Sequence, residues 1–192
     1  MAFSLAAQRP ELVDRLAIVG TPAPHSKVPW IPSELQQALT AAVDDDADVA
    51  RTRLTRYLAG HVPQNLRSRA ALRLLSVSEA DGVALREKGA VARLGGMLSE
   101  AFAQGAIGYA TDITAFGLRP WEPDPSEVKS KTLLLYGSKD PLCGFRRGDW
   151  WQKRLPSARL EMVPGAGHLL ILSMWERILS HLAPGSKQRA RH

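Results

Sequence analysis

A chain of 192 residues in which 45% are apolar and 23% are charged is long enough for a folded domain with a core, and this composition excludes a disordered protein. The single cysteine, Cys143, excludes an internal disulfide framework and is typical of a reducing cytoplasm. No apolar run approaches the ~20 residues that a membrane helix requires, and the first residues lack the pattern of a signal peptide. The sequence therefore predicts a soluble, cytoplasmic protein.

The formal net charge of +6 raises the question of nucleic-acid binding. The positive residues are scattered and alternate with apolar residues at helical spacing, as they do at Arg51, Arg53 and Arg56. Such a distribution favours solvated helix faces over a binding stripe, so neither nucleic acid nor a membrane is predicted as a partner. The last seven residues, 186–192, carry three positive charges and are predicted to form a loose basic tail.

The first predicted elements are a helix over residues 2–9, which Pro10 ends, and a strand over residues 16–19, which stops at Gly20. A helix followed by a buried strand is half of a βαβ unit. The sequence shows no strand before this helix, although a crossover helix normally links two parallel strands. The opening pattern therefore predicts an incomplete βαβ unit.

A long helical block follows this strand. A proline-rich stretch over residues 21–31 leads the chain away from the sheet. Residues 33–118 then hold apolar residues at helical spacing and no convincing strand, which predicts four or five short helices with a break at Gly95-Gly96. The acidic run over residues 44–48 lacks the alternating ligands, the glycine and the closing glutamate of a calcium loop, so it indicates a helix N-terminus. No cofactor or metal site is predicted.

The last third of the chain alternates between strands and helices. After a turn-rich linker over residues 122–125, the pattern predicts a strand over 132–136, a helix over 145–155, a strand over 159–163 and a helix over 169–182. Strands that alternate with helices in this way predict an α/β fold with a parallel sheet.

Each of these two strands is followed by a turn that presents one ionisable side chain, Asp140 after the first and His168 after the second. Parallel strands bring their carboxyl ends to one edge of the sheet, where open α/β folds place their chemistry. An aspartate there can accept the Nδ1–H of an imidazole and fix its tautomer, as in a Ser-His-Asp relay. Taken singly, Asp140 could be a turn former and His168 a capping or core histidine, but the pair in this order favours the relay.

The order strand, Gly-Ser-Lys-Asp-Pro, helix, Pro-Ser-Ala, strand, Pro-Gly-Ala-Gly-His, helix resembles the C-terminal part of an α/β-hydrolase. The opening Ala-Ala-Gln-Arg-Pro-Glu-Leu-Val-Asp-Arg-Leu-Ala-Ile-Val-Gly resembles the helix after the nucleophile and the sixth strand of that family. The helical block would then be the cap inserted between the sixth and seventh strands. Bacterial esterases, peptidases and epoxide hydrolases are similar in this arrangement.

This resemblance implies a fold class and a domain organisation. The fold class is α/β, as the C-terminal portion of an α/β-hydrolase fold with three parallel strands and an inserted all-helical cap. Residues 1–24 and 119–185 would be fragments of the catalytic core, residues 25–118 the cap and residues 186–192 the basic tail. The sixth strand would keep an open edge where the fifth strand pairs in the complete family fold, and such an edge invites association.

The resemblance also implies residue roles. Asp140 matches the acid and His168 the base of the family's triad, which hydrolyses an ester, an amide or a related bond. No serine has glycines two residues before and two residues after it, so the G-x-S-x-G nucleophile motif is missing from this sequence. By resemblance, the nucleophile would lie about four residues before Met1, and strands one to five further upstream. Cys143 is a weak substitute nucleophile, and a buried structural thiol is favoured.

Two functional hypotheses follow from this. In the first, the chain supplies the acid and base of a hydrolase that acts on a small-molecule substrate, with no cofactor and with the nucleophile on a complementary N-terminal part. In the second, the chain is a truncated, non-catalytic remnant that binds a small apolar ligand or a partner, or that associates with itself through the open sheet edge.

Overall fold

A computed structural model describes residues 2–31, 33–41, 45–117 and 123–185. Within these ranges, three strands form one parallel sheet in the order β1-β2-β3. The strands are β1 (Arg15–Val19), β2 (Lys131–Gly137) and β3 (Ala158–Val163). The structure confirms the predicted α/β fold with three parallel strands. The predicted basic tail over residues 186–192 lies outside the described residues, as does the first residue of the predicted linker.

Helices precede and follow the strands along the chain, and five of the described α-helices lie in the interval between β1 and β2. In chain order they are α1 (Ala2–Gln8), α2 (Ser33–Thr40), α3 (Ala47–Ala59), α4 (Gly82–Arg86), α5 (Ala90–Ala101), α6 (Ile107–Gly117), α7 (Phe145–Gln152) and α8 (Trp175–Leu182). Short 3₁₀ helices cover Pro10–Leu12, Arg69–Leu75, Glu79–Asp81, Pro125–Glu127 and His168–Leu172. In the ranges described, no helix is long and apolar enough to cross a membrane.

The described residues divide into two compact units. The sheet unit comprises the described residues of the segments Met1–Ala23, Val77–Ala84 and Glu122–His192. The helical unit comprises the described residues of the segments Pro24–Ser76 and Leu85–Trp121. The short segment Val77–Ala84 thus belongs with the sheet, although its neighbours on both sides in the chain belong to the helical unit.

Strand β2 is the centre of the sheet unit. It pairs with β1 on one side and β3 on the other, and every residue from Thr132 to Gly137 is buried. A parallel strand that is covered on both faces needs a continuous apolar run, which Leu133, Leu134 and Leu135 provide. This burial holds the end of β2 in place, and the turn that carries Asp140 follows directly from it.

The helical unit has its own apolar core. It is formed by residues that are all less than one tenth exposed: Ile31, Leu35, Leu39, Leu54, Leu58, Ala106, Ala110 and Ile113. Asp46 is the N-cap residue of helix α3, and its carboxylate accepts hydrogen bonds from the backbone N–H groups of Asp48 and Val49. Asp46 therefore caps a helix N-terminus, as the sequence indicated for the acidic run.

Helix α5 runs through Gly95-Gly96 without a break, so the prediction of two helices separated at this point is wrong. A Cβ atom on Gly95 would lie 2.9 Å from the Cα atom of Arg67, whereas one on Gly96 would have no neighbour within 4 Å. The first glycine is therefore present for close packing of two chain segments, and it does not mark a helix end.

The predicted single helix over residues 169–182 is also divided in the structure. A 3₁₀ helix covers His168–Leu172, and α8 begins only at Trp175. Leu169 has non-helical backbone angles, and its N–H group donates to a side chain from another part of the chain. This external hydrogen bond competes with regular α-helical geometry next to His168.

The two glycines of α5 give a matched test of this packing. We expect Gly95→Ala to destabilise the protein by about 1–3 kcal/mol, because the backbone at Arg67 has to move. Gly96→Ala should instead stabilise it by about 0.5–1 kcal/mol, because alanine has the better helix propensity and space is available. Urea unfolding followed by circular dichroism measures both, and equal effects of the two substitutions would contradict the close packing.

Candidate functional site

The candidate site lies in the sheet unit, where two turns leave neighbouring strands. Asp140 lies three residues beyond the end of β2, and His168 lies five residues beyond the end of β3. Since β2 and β3 are parallel and paired, both turns lie at the same edge of the sheet. The structure thus brings together the two residues that the sequence analysis selected.

Asp140 and His168 are joined by a hydrogen bond. The distance between His168 Nδ1 and Asp140 Oδ2 is 2.8 Å. The side chain of Asp140 is fully buried, whereas that of His168 is 23% exposed. Because Asp140 engages Nδ1, the other ring nitrogen, Nε2, is left to exchange protons with a further group. The arrangement can therefore orient an imidazole and fix its tautomer.

The second carboxylate oxygen of Asp140 is held by its own turn. Oδ1 accepts hydrogen bonds of 2.8 Å from the backbone N–H groups of Leu142 and Cys143. Burial acts to raise the pKa of Asp140, but the hydrogen bond from His168 and those from the two backbone groups outweigh it and hold the pKa below its usual value. Asp140 is therefore ionised at neutral pH and can only accept, so Nδ1 of His168 carries the proton.

The loop before His168 is tied to the turn after β2. Ser138 Oγ accepts a hydrogen bond of 2.8 Å from the N–H group of Gly165, which has a φ of +71°. The N–H group of Lys139 donates to the carbonyl oxygen of Ala166 at 2.9 Å. Through these hydrogen bonds the Asp140 turn and the His168 loop support each other.

Gly20 lies against the His168 ring on the side of β1. A Cβ atom there would lie 3.7 Å from Cε1 of His168 and 3.8 Å from Nδ1. Gly20 also has a φ of +50°, which residues with a side chain rarely adopt. The glycine that stops β1 therefore turns the chain and borders the imidazole.

The sequence analysis missed one residue of this neighbourhood, Asp81. It is 1% exposed, and its Oδ1 atom accepts a hydrogen bond of 2.7 Å from the N–H group of Leu169, next to His168. The spacing of Ser78 and Asp81 is typical of a capping box, so the sequence did carry a signal for a helix start. That signal is local, and it does not indicate contact with a residue 88 positions away.

Cys143 is buried beside the site, and its chemistry is suppressed. Burial and the nearby negative charge of Asp140 raise the pKa of Cys143 to about 12, against a smaller opposing effect of Arg147. The residue is thus a neutral thiol at physiological pH. It is therefore a poor nucleophile, as the sequence analysis favoured.

The ligand atoms of Asp140, Cys143 and His168 lie within 4.8 Å of one another. Such a donor set could in principle surround a transition metal. A metal there would require loss of the thiol proton and of the Asp140–His168 hydrogen bond. In the structure the ligand atoms of Asp140 and His168 are instead hydrogen-bonded to each other.

Ser138, in the Asp140 turn, does not supply a nucleophile for His168. Ser138 is the serine nearest to Asp140 in sequence, and its Oγ atom is engaged with the N–H group of Gly165 in the supporting turn. No serine of the sequence has the glycine spacing of the nucleophile motif.

Comparisons with known proteins give one consistent result. A family model described as the alpha/beta hydrolase fold matches residues 1–173. Over 55 residues, or 29% of its length, the chain is 36% identical to a pimeloyl-[acyl-carrier protein] methyl ester esterase from Nitrosomonas europaea and spans 22% of that protein.

Two solved structures resemble the chain at low sequence identity. A thermophilic esterase from Thermogutta terrifontis matches 92% of the chain with a TM-score of 0.61 and 17% identity. A hydrolase from Pseudomonas aeruginosa PA01 matches 94% of it with a TM-score of 0.53 and 22% identity. The chain spans 57% and 60% of the length of these two structures, respectively.

The suppressed reactivity of Cys143 can be tested by alkylation. We expect the folded protein to react very slowly with iodoacetamide at pH 7, because the thiol is buried and its pKa is about 12. The urea-unfolded chain should react rapidly, and mass spectrometry measures both rates. Equally rapid modification of the folded chain would show a reactive thiol and contradict this description.

The lowered pKa of Asp140 predicts how stability depends on pH. Its ionised form stabilises the fold above the usual carboxyl pKa of about 4, and this contribution is lost as the pH falls through the lower pKa of the folded state. We expect the unfolding free energy lost in Asp140→Asn to shrink as the pH is lowered below about 4. Chemical unfolding of both proteins at several pH values measures this difference, and a constant difference would contradict the lowered pKa.

Proposed function

Because this chain belongs to the alpha/beta hydrolase family, we propose that it carries the acid and the base of an esterase-type active site. Asp140 is the acid that orients the imidazole, and His168 is the general base. The reaction is hydrolysis of a small-molecule ester, amide or related bond. The observation that carries this proposal is the 2.8 Å hydrogen bond between a buried carboxylate and a partly exposed imidazole.

The proton transfers follow from this geometry. His168 takes the proton of an attacking hydroxyl group at Nε2, while Nδ1–H remains bonded to Asp140. The negative charge of Asp140 stabilises the imidazolium, and the lowered pKa keeps that charge in place. His168 then returns the proton to the departing alcohol as the ester C–O bond breaks, which leaves the acyl group on the attacking oxygen. A water molecule, deprotonated by His168 in the same way, attacks this acyl group, and the nucleophile regains its proton as the carboxylic acid is released.

Among these bonds, we propose a carboxylic ester as the substrate class. The support is a short stretch at 36% identity to a protein named as a methyl ester esterase. Esters also have better leaving groups than amides, so an ester places the smaller demand on proton transfer from His168.

The nucleophile and the remaining strands belong, in this proposal, to sequence outside the 192 residues. Strand β1 pairs with β2 on one side, and among the described residues its other edge has no strand partner. An unpaired edge offers N–H and C=O groups to a further strand. We propose that a complementary N-terminal portion of the hydrolase pairs with β1 and brings a serine hydroxyl close to Nε2 of His168.

The experiment joins the coding sequence in frame to the codons upstream of Met1, expresses the product and measures hydrolysis of p-nitrophenyl esters. We expect His168→Ala and Asp140→Asn each to lower kcat by about 10³-fold or more, because one removes the base and the other its orientation. His61→Ala is the matched control, since His61 is an exposed histidine of the helical unit that bonds to the carbonyl oxygen of Tyr57. It should leave kcat unchanged.

A fluorophosphonate probe provides an independent readout of an activated serine. Labelling of the extended protein at a serine, and its loss in His168→Ala, would support the proposal. If neither the extended protein nor the chain that starts at Met1 hydrolyses esters or is labelled, the alternative of a non-catalytic remnant that binds a ligand or partner is favoured instead.

A further inference from the structure

The segment Val77–Ala84 lies against the loop that carries His168, within the sheet unit. We propose that Asp81 of this segment is a positioning residue, which holds the backbone on both sides of His168 and thereby sets the imidazole against Asp140. The inference deepens the proposed function, since it rests on His168 as the general base. Asp81 itself is not placed in contact with substrate.

Asp81 makes its first contact with Leu169, the residue that follows His168 in the chain. The N–H group of Leu169 donates to Asp81 Oδ1 at 2.7 Å, and Leu169 is only 6% exposed. Leu169 lies in the first turn of the 3₁₀ helix His168–Leu172, where backbone N–H groups have no acceptor within the helix. Asp81 supplies that acceptor from a distant part of the chain.

Asp81 makes its second contact with Gly167, the residue that precedes His168 in the chain. A Cβ atom on Gly167 would lie only 2.5 Å from Cγ and 2.5 Å from Oδ1 of Asp81, so the carboxyl group is pressed against the backbone of Gly167. Only glycine allows this approach. The carboxyl group therefore contacts the residues immediately before and after His168.

Asp81 is itself held in place by Ser78. Oδ2 accepts hydrogen bonds from the backbone N–H group of Ser78 at 2.8 Å and from its hydroxyl group at 3.0 Å. Asp81 is 1% exposed, so this group has three protein donors in place of water. A buried carboxyl group with fixed donors on both oxygens is a rigid support. His168 needs such a support if its ring is to keep one orientation as a general base.

Loss of this support should act on the orientation of His168 more than on substrate binding. Small displacements of a catalytic group can lower a rate by about 10²-fold. We expect Asp81→Ala in the active, extended protein to lower kcat by about 10–100-fold and to leave KM within about twofold. Asp81→Asn keeps an oxygen acceptor for Leu169 but turns a donor toward Ser78, so it should recover part of the lost kcat.

The Nδ1–H proton of His168 gives a readout that does not depend on catalysis. Hydrogen-bonded to an ionised carboxylate, this proton should give a far-downfield NMR resonance that disappears in Asp140→Asn. We expect Asp81→Ala to move or broaden the same resonance. This measurement tests the positioning role even if the protein hydrolyses no ester, so failure of the proposed function and failure of this inference are distinguishable.

Asp46→Ala is the matched control, because Asp46 also accepts two backbone N–H groups at a helix start but lies in the helical unit. It should lower the melting temperature without changing the resonance or kcat. The inference is overturned if Asp81→Ala loses stability as the control does but leaves both the Nδ1–H resonance and kcat unchanged. If Asp81→Ala does not fold, Asp81→Asn decides by the same two measurements.

Discussion

The close approach of two loops at the end of β2 and β3 is the constraint on which the candidate site depends. At Gly137, the last residue of β2, a Cβ atom would overlap the carbonyl oxygens of Ala166 and Gly167. With no side chain there, the His168 loop lies directly on the strand end, and the hydrogen bonds of Ser138 and Lys139 hold it. The Asp140–His168 hydrogen bond is a consequence of this backbone contact, since it requires two loops from different strands to keep one separation.

Burial has opposite chemical consequences for the two ionisable neighbours in the Asp140 turn. Asp140 is buried together with three hydrogen-bond donors, so its negative charge is retained and its pKa is lowered. Cys143 is buried three residues later, and the charge of Asp140 adds to the effect of burial, so its pKa rises. The site thus concentrates charge on one carboxylate and suppresses a competing thiolate beside it. This division explains how a cysteine can lie next to a histidine without forming a reactive pair.

The features that sequence patterns predicted are those with a local cause. The apolar run of β2 and the turns that carry Asp140 and His168 follow from burial and turn chemistry, which neighbouring residues express. The two wrong helix predictions have a non-local cause. Gly95 is a glycine because the backbone of Arg67 packs against it, and Leu169 leaves helical geometry where its N–H group donates to the carboxyl group of Asp81. Asp81 was missed for the same reason, since its capping signal with Ser78 gives no information on what its second oxygen binds. Patterns in a single sequence report on neighbouring residues and give no information on such long-range contacts.

The membership of Val77–Ala84 in the sheet unit has a consequence for protein engineering. An exchange of the helical block between related proteins would remove Asp81 from its contact with Gly167 if the exchange ran through the whole interval between β1 and β2. Two separate grafts, covering Pro24–Ser76 and Leu85–Trp121, would leave that residue with its own histidine loop. The boundaries of a functional chimera are therefore set by one buried carboxyl group as well as by the ends of the strands.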